Sequence, residues 1–193
     1  MTSPSADGPP AAPGRACGEC TACCEWLRID APDLRKPPGV LCRHACAGGG
    51  CSSYARRPEP CRVWSCEWRA STTVPETLRP DRCGVIVMET PEPPGDPALA
   101  GYVLLAFWPI AMLPIAALDA LLARLLGAGM EVHLAVPGPP GDDPRSAPLN
   151  ALVGDIVGMG ATARLEAALR HLAALLEDSV PMRAADPAQP SFP

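Results

Sequence analysis

Ten cysteines are the residues whose type and spacing could do chemistry in this chain, and all of them lie before residue 84. The densest run is Cys17-Gly-Glu-Cys20-Thr-Ala-Cys23-Cys24, which has the form C-x2-C-x2-C-C. Thiolate pairs separated by two residues can chelate zinc or an iron–sulfur cluster, often with backbone N–H groups directed at the sulfurs. Four later cysteines are available to complete one or two four-thiolate sites: Cys42, Cys51, Cys61 and Cys66.

The adjacent Cys23 and Cys24 constrain how these thiols can be grouped. Neighbouring side chains point about 100° apart on a helix and to opposite faces of a strand, so the two should not readily share one small ion. If residues 17–24 are helical, Cys17, Cys20 and Cys24 fall on one face and Cys23 points elsewhere. We expect two separate sites or one multinuclear site, with Cys23 and Cys24 serving different metals.

Spacing alone does not separate zinc from iron, because both metals accept four cysteine ligands. The common bacterial ferredoxin run C-x2-C-x2-C-x3-C-P is absent, which argues against an electron carrier without excluding a cluster. His44 lies between Cys42 and Cys46, so a mixed Cys/His site is an alternative to an exposed polar role for this histidine. We expect Cys83 to pack as a small apolar side chain and leave the role of Cys46 open.

Charged and aromatic residues are interspersed with the cysteines. Four thiolates around Zn²⁺ leave a net charge of about −2, which nearby cations and donors must offset if the site is partly buried. The candidates for that role, each of which could equally be solvated, are Arg43, Arg56, Arg57, Arg62 and Arg69. We expect packing roles, as a small apolar lid over the site, for Trp26, Trp64 and Trp68.

The cysteine pattern resembles that of the YkgJ-type cysteine-cluster proteins, described as zinc- or iron-chelating domains with a CxxCxxCC signature. Gly50-Cys51, the run YARRPEPC ending at Cys61 and the run RVWSC ending at Cys66 are similar to the family's GC-x-x-Y-x-x-RP-x-x-C-x-x-F-x-C, with Trp64 where Phe is commoner. The resemblance covers residues 17–68, 52 of the 193. It implies no established reaction, and it leaves Cys46 and Cys83 outside the pattern. The ligands that it implies are Cys17, Cys20, Cys23, Cys24, Cys42, Cys51, Cys61 and Cys66.

Residues 84–193 contain no cysteine and have the patterns of ordinary secondary structure. They predict strands at Val85–Met88, about 102–108 and Met130–Val136, and helices from Pro114 to about Leu126 and from Ala161 to Glu177. Residues 137–148, PGPPGDDPRSAP, are predicted to be a loop. The expected fold class is α+β, with a cysteine-rich irregular metal-binding segment packed on a small three-stranded α/β unit. The expected divisions are disordered tails at 1–14 and 179–193, a cysteine-cluster metal-binding region at 15–83 and the α/β unit at 84–178.

Composition and the absence of other motifs restrict the function. A sequence pI near 5.2 and a single lysine, Lys36, argue against nucleic acid as a partner. We find no P-loop, no H-E-x-x-H and no G-x-S-x-G, so no catalytic residue and no nucleotide-cofactor site is assigned. The uncharged stretch 98–118 contains Pro109 and Pro114 and fits a strand, a break and a helix better than a membrane span. The N-terminal residues lack the apolar run of a secretory signal, so we expect a cytoplasmic protein whose thiols stay reduced.

These observations predict a metal-binding protein that chelates zinc or iron through the eight cysteines, as mononuclear ions or as an Fe–S cluster. Two alternatives stay open: a redox or metal-dependent enzyme with one open metal site, and a zinc-stabilised protein-interaction module. The expected partners are metal ions and a protein that the sequence does not identify, with no nucleic acid and no membrane.

Overall fold

The cysteine-rich half of the chain is built from short elements. The computed structural model describes residues 11–90 and 101–150, together with 163, 166–168 and 170. Helix α1 (Ala22–Trp26) leads into an antiparallel hairpin formed by β1 (Ile29–Ala31) and β2 (Leu34–Lys36). Three one-turn helices follow: α2 (Glu59–Val63), α3 (Glu67–Ala70) and α4 (Pro80–Cys83). Single 3-10 turns lie at Tyr54–Arg56 and Glu76–Leu78.

A mixed four-stranded sheet forms the centre of the second half. Its strands lie in chain order: β3 (Val85–Thr90), β4 (Gly101–Ala106), β5 (Glu131–Val136) and β6 (Arg145–Pro148). The outer pairs are antiparallel, whereas β4 and β5 are parallel. A parallel pair needs a crossover connection, and α5 (Ile115–Gly127) supplies it between β4 and β5. The protein is therefore mixed α+β, as the sequence predicts.

The two faces of the sheet are covered by different parts of the chain, because successive strand residues point to opposite sides. On one face, residues such as Val87, Leu104 and Leu134 pack against the leucine stripe of α5 and against Trp68 and Leu78. On the other face, Ile86, Val103, Leu105 and Ala135 pack against side chains from the cysteine-rich half: Cys20, Ala22, Trp26, Leu27, Trp64 and Cys66. The sheet thus holds the cysteine-rich half in place.

The expectation of a three-stranded unit is wrong, because residues 145–148 form a fourth strand where a loop was predicted. The run Arg-Ser-Ala-Pro lacks an apolar alternation, and its extended conformation comes from antiparallel pairing with β5, in which Val136 lies opposite Arg145. The hairpin β1–β2 is a second element that was not predicted, since it lies in a segment expected to be irregular. Its strands have only three residues each, too few for a detectable period.

The strands predicted from Val85, near 102 and from Met130, and the helix predicted from Pro114, are present with shifts of one or two residues at most of their ends. The predicted helix from Ala161 to Glu177 lies largely outside the described residues, although 163, 166–168 and 170 are helical. The predicted tails 1–10 and 179–193 also lie outside them. Ala12, which falls in the predicted N-terminal tail, is buried, and its N–H donates to the carbonyl of Arg69. None of the helices in the described part of the chain is long and apolar enough to span a bilayer.

Candidate metal centre

All ten cysteines are free thiols, with no disulfide among them. Eight of them form two sets of four, in which packing places five and electrostatic effects assign Cys17, Cys23 and Cys51. We name these the sheet-side set (Cys17, Cys20, Cys23 and Cys66) and the hairpin-side set (Cys24, Cys42, Cys51 and Cys61). Cys83, which interacts electrostatically with Cys20 and Cys66, lies in the main core and is outside both sets.

The sheet-side set lies where the cysteine-rich half meets the sheet. Cys20 and Cys66 pack against the core cluster that contains Ile86 and Leu105. Burial raises the pKa of the Cys66 thiol to about 11, and negative charge on Cys17 and Cys20 raises it further. Burial also raises the pKa of Cys20. Cys66 and Cys23 therefore both respond to negative charge on Cys17 and Cys20.

The hairpin-side set lies against β1 and β2. Cys42 is buried with Ile29 of β1 and Leu34 of β2, and Cys24 and Cys61 pack against this small cluster. The Cys42 N–H donates to the Cys24 carbonyl at 2.8 Å. Burial raises the pKa of Cys61, and negative charge on Cys24, Cys42 and Cys51 adds to the increase. These four thiols therefore form a second electrostatic group.

Cys23 and Cys24 join the two sets. Interaction between the neighbouring thiols of Cys23 and Cys24 raises the pKa of Cys23 well above its ordinary value and lowers the pKa of Cys24 to about 7. Negative charge on Cys17 and Cys20 acts on Cys23 and the charge of Arg57 acts on Cys24, whereas Lys36 interacts with both. Apart from Lys36, the two adjacent residues thus have different electrostatic neighbours.

The expected helical face of Cys17, Cys20 and Cys24 is wrong. Helix α1 begins only at Ala22, and residues 17–20 form a turn in which the Cys20 N–H donates to the Cys17 carbonyl. Gly18 has a φ of +54°, which a right-handed helix does not allow. Because of this turn, Cys20 packs on the sheet while Cys24 packs on the hairpin.

Backbone N–H groups act on sulfurs in both sets. The His44 N–H donates to Cys42 Sγ at 3.5 Å. The backbone N–H groups of Ala22 and Asp81 each lower the pKa of Cys20 against the effect of burial. The Arg69 N–H also lowers the pKa of the Cys66 thiol, while its hydrogen bond goes to the Cys66 carbonyl oxygen at 2.9 Å. Such N–H groups favour the thiolate, which is the form that binds metal ions.

A close approach of two loops brings the segment before Cys51 against the turn of Cys17–Cys20. The Gly50 N–H donates to the Glu19 carbonyl at 3.0 Å. Gly50 has a φ of +80°, and a Cβ there would lie 2.9 Å from the carbonyl oxygen of Gly18. The glycine before Cys51 therefore permits a contact between the loops of the two sets that a larger residue would obstruct.

Cations lie beside each set. Of the predicted arginines, Arg57 contributes to the lowered pKa of Cys24. Arg57 also opposes the increase in the pKa of Cys61, and Arg69 opposes the increase in that of Cys66. Arg43 donates instead to the carbonyl of Asp33. Sequence analysis missed Arg79, whose charge lowers the pKa of Cys20 and whose guanidinium donates to the Cys17 carbonyl. Its position thirteen residues after Cys66 gave no signal of this contact.

Sequence analysis also missed Lys36 as part of the site. This lysine is only 4% exposed, and its Nζ lies 2.8 Å from each of three backbone carbonyl oxygens, those of Glu25, Pro37 and Val40. Its charge interacts with Cys42, Cys24 and Cys23. The only available signal was that it is the sole lysine of the chain and lies within the cysteine-rich segment.

The remaining candidate residues have structural partners. Cys83 is fully buried in the main core, which confirms its predicted packing, whereas Cys46 is exposed. The two ring nitrogens of His44 contact Ser53 Oγ at 3.1 Å and Arg43 Nε at 3.4 Å, an arrangement that does not favour the mixed Cys/His site.

The three tryptophans have packing roles, and their predicted function as a lid over the site stays a prediction. Trp26 stacks on Phe107 with ring centroids 5.3 Å apart, and Trp64 packs on the sheet. Trp68 is buried beneath the guanidinium groups of Arg15 and Arg79. None of these contacts requires a part in electron transfer.

The donor chemistry of the two sets fits a soft or borderline metal, because each set offers four reduced thiols with N–H donors and cations nearby. Among the described residues, however, no three Cys, His, Asp or Glu side chains form a group that could hold a metal ion as they stand. Binding an ion would therefore require the sulfurs of a set to draw together.

Comparison of the chain with protein-family models, curated proteins and solved structures found no match. The resemblance to the YkgJ-type proteins rests on the motif residues alone.

Proposed function

We propose that the protein binds metal through eight cysteines, with one zinc or iron centre in the sheet-side set and another in the hairpin-side set. Each centre would be a mononuclear ion or an Fe–S cluster. The observation that carries the proposal is the packing of Cys20 and Cys66 on the sheet and of Cys24, Cys42 and Cys61 on the hairpin, with Cys17 and Cys23 electrostatically linked to the first group and Cys51 to the second. Four thiolates are a complete ligand set for zinc and for a cluster.

The surroundings of the two sets supply what a buried thiolate site needs. A divalent ion with four thiolates carries a charge of about −2, and burying that charge is costly without nearby cations and hydrogen-bond donors. Lys36 and Arg57 lie beside the hairpin-side set, and Arg69 and Arg79 lie beside the sheet-side set. These side chains would bind no metal themselves but would stabilise the charged centres.

Exposed apolar side chains near the hairpin-side set favour a second candidate function, a protein-interaction module that the metal stabilises. Leu41 is 52% exposed beside Cys42, and Tyr54 and Val63 are each about 40% exposed near Cys51 and Cys61. In this case the metal would hold the short elements in place and the apolar side chains would contact the partner.

Anaerobic purification followed by elemental analysis and a visible spectrum tests metal binding directly. A colourless protein that contains zinc, or a brown protein that contains iron and sulfide, supports the proposal and identifies the metal. Cys20→Ser and Cys61→Ser are expected to lower the metal content, whereas Cys46→Ser, at an exposed thiol outside both sets, is the matched control and should keep it. The proposal is wrong if the protein carries no metal and takes up neither Zn²⁺ nor Fe²⁺ with sulfide, or if the control variant loses as much metal as the other two.

A further inference from the structure

Lys36 has an environment that is unusual for a lysine. Its three Nζ–H groups face three carbonyl oxygens, all at 2.8 Å, and the residue is 4% exposed. An ammonium group has three donors, so all of them are satisfied by the protein backbone. Burial of such a group is costly unless negative charge lies close by.

The carbonyls that hold Lys36 belong to the segments that carry two hairpin-side cysteines. The carbonyl of Glu25 follows Cys24 in helix α1, and those of Pro37 and Val40 precede Cys42. Lys36 therefore ties the helix of Cys24 to the segment that leads to Cys42, in addition to the bond between the backbones of these two cysteines. The ammonium is thus fixed relative to the backbone segments that carry both cysteines.

The negative groups that act on Lys36 are mainly sulfurs. Cys42, Cys24 and Cys23 interact with its charge more strongly than the carboxylate of Glu25 does. Lys36 makes no ion pair with a carboxylate among the described contacts, whereas the exposed Arg35 next to it pairs with Asp30 at 3.2 Å. The sheet-side set has a different balance of charge. At Cys20, the positive charge of Arg79 lowers the pKa of the thiol, and the negative charge of Asp81 raises it.

We propose that Lys36 is the internal counter-charge of the hairpin-side metal centre and makes that centre less negative than its sheet-side neighbour. The inference rests on the proposed function. Lys36 touches carbonyl oxygens and not the metal, so it is a positioning residue. Its ammonium would offset one unit of the negative charge of four thiolates around a divalent ion, and this offset would raise the affinity of the hairpin-side set for metal.

Loading the full chain with Co²⁺ tests the proposal, because Co²⁺ bound to thiolates gives sulfur-to-metal charge-transfer bands. Lys36→Gln keeps a hydrogen-bond donor and removes the charge, and Lys36→Arg keeps the charge. We expect Lys36→Gln to bind one of the Co²⁺ ions about 10- to 100-fold more weakly, with the other unchanged, and Lys36→Arg to recover most of the loss. Arg35→Met removes a solvent-facing cation from the same strand and should leave both affinities unchanged.

The band position separates a charge effect from loss of structure. Removing a cation beside the sulfurs makes their electrons easier to transfer, so the bands of the ion that remains bound at high Co²⁺ should shift to longer wavelength in Lys36→Gln and not in Lys36→Arg. Equal affinities for wild type and Lys36→Gln would overturn the inference, as would equal losses in the Gln and Arg variants. If the wild type binds two Co²⁺ ions and the Lys36 substitutions change neither affinity, only the counter-charge role of Lys36 is refuted. If the wild type binds no Co²⁺, the proposed function is refuted as well.

Discussion

At the level of single residues, the peptide bond between Cys23 and Cys24 divides the candidate ligands. Cys23 responds to negative charge on Cys17 and Cys20 and Cys24 responds to Arg57, while Lys36 interacts with both. Both residues lie in helix α1, where neighbouring side chains leave the axis about 100° apart. Each residue is therefore expected to belong to a different centre.

Serine substitution at the two adjacent positions should separate the centres. Cys23→Ser is expected to lose the sheet-side metal and keep the hairpin-side one, and Cys24→Ser should do the opposite, because each variant removes one ligand from a different set. Native mass spectrometry of the metal-loaded variants measures the number of ions retained, and alkylation of the freed thiols identifies which set has lost its ion. If each variant loses both ions, the division into sets is wrong.

Cys83 provides a contrast to the ligand cysteines. It is fully buried in the core, with its sulfur 3.3 Å from both the N–H and the carbonyl oxygen of Val85. Cys83→Ala should lower the free energy of unfolding by about 1 kcal/mol, because it removes a buried atom and leaves a small cavity. Urea denaturation measures this loss, and elemental analysis should give an unchanged metal content. A drop in metal content would make Cys83 a ligand.

The eight candidate ligands followed from spacing and from the motif resemblance, but their grouping did not. Grouping depends on where each cysteine packs, and the packing of Cys20 and Cys66 is set by residues such as Ile86 that lie far along the chain. The role of Lys36 was hidden for the same reason, since the carbonyls around it meet only in the folded hairpin.

At the level of elements, the loop that ends at Gly50 holds the two cysteine segments together. Its contact with the turn of Cys17–Cys20 leaves no room for a side chain, and the backbone at Gly50 has a positive φ. The short helices and the hairpin around it have few residues with which to stabilise themselves.

Gly50→Ala should destabilise this contact. A Cβ 2.9 Å from the Gly18 carbonyl oxygen, at a φ of +80°, is expected to lower the free energy of unfolding by roughly 2 kcal/mol and to weaken metal binding. Gly48→Ala is the matched control, because a Cβ there would meet no atom within 4 Å. Thermal denaturation and metal titration of the two variants measure the difference. Equal behaviour of both variants would show that the loop contact does not support the site.

The elements that sequence analysis predicted are those with enough residues to show a period. The leucines of α5 recur at helical spacing, and β3 and β4 are continuous apolar runs buried on both faces. Strand β6 and the hairpin β1–β2 escaped prediction because they are only three or four residues long and their conformation depends on pairing. Strands this short give no periodic pattern in the sequence, whether the partner is adjacent, as in the hairpin, or farther away in the chain, as for β6.

At the level of the whole molecule, one face of the sheet packs against α5 together with Trp68, Val74 and Leu78, and the other face packs against the segments of Cys20 and Cys66. The layer of α5 contains a conventional leucine core, so it should be stable without metal. The cysteine-rich half has only a small cluster of its own around Ile29 and Leu34, so metal binding would supply much of its stability.

Removal of metal is therefore expected to loosen one half of the molecule. With a chelator present, amide hydrogen exchange should speed up in residues 17–66, whereas the amides of β4, β5 and α5 should stay protected. Hydrogen-exchange mass spectrometry of loaded and metal-free protein measures both regions in one experiment. A uniform change over the whole chain, or no change in residues 17–66, would contradict this division.

The count of metal centres in anaerobically prepared wild-type protein tests the central claim most directly. Native mass spectrometry combined with elemental analysis should find about two zinc ions per chain, or iron and sulfide in amounts that fit two centres, with the thiols of both sets protected from alkylation. A single mononuclear ion per chain, or metal-free protein with disulfides among these eight cysteines, would contradict the account.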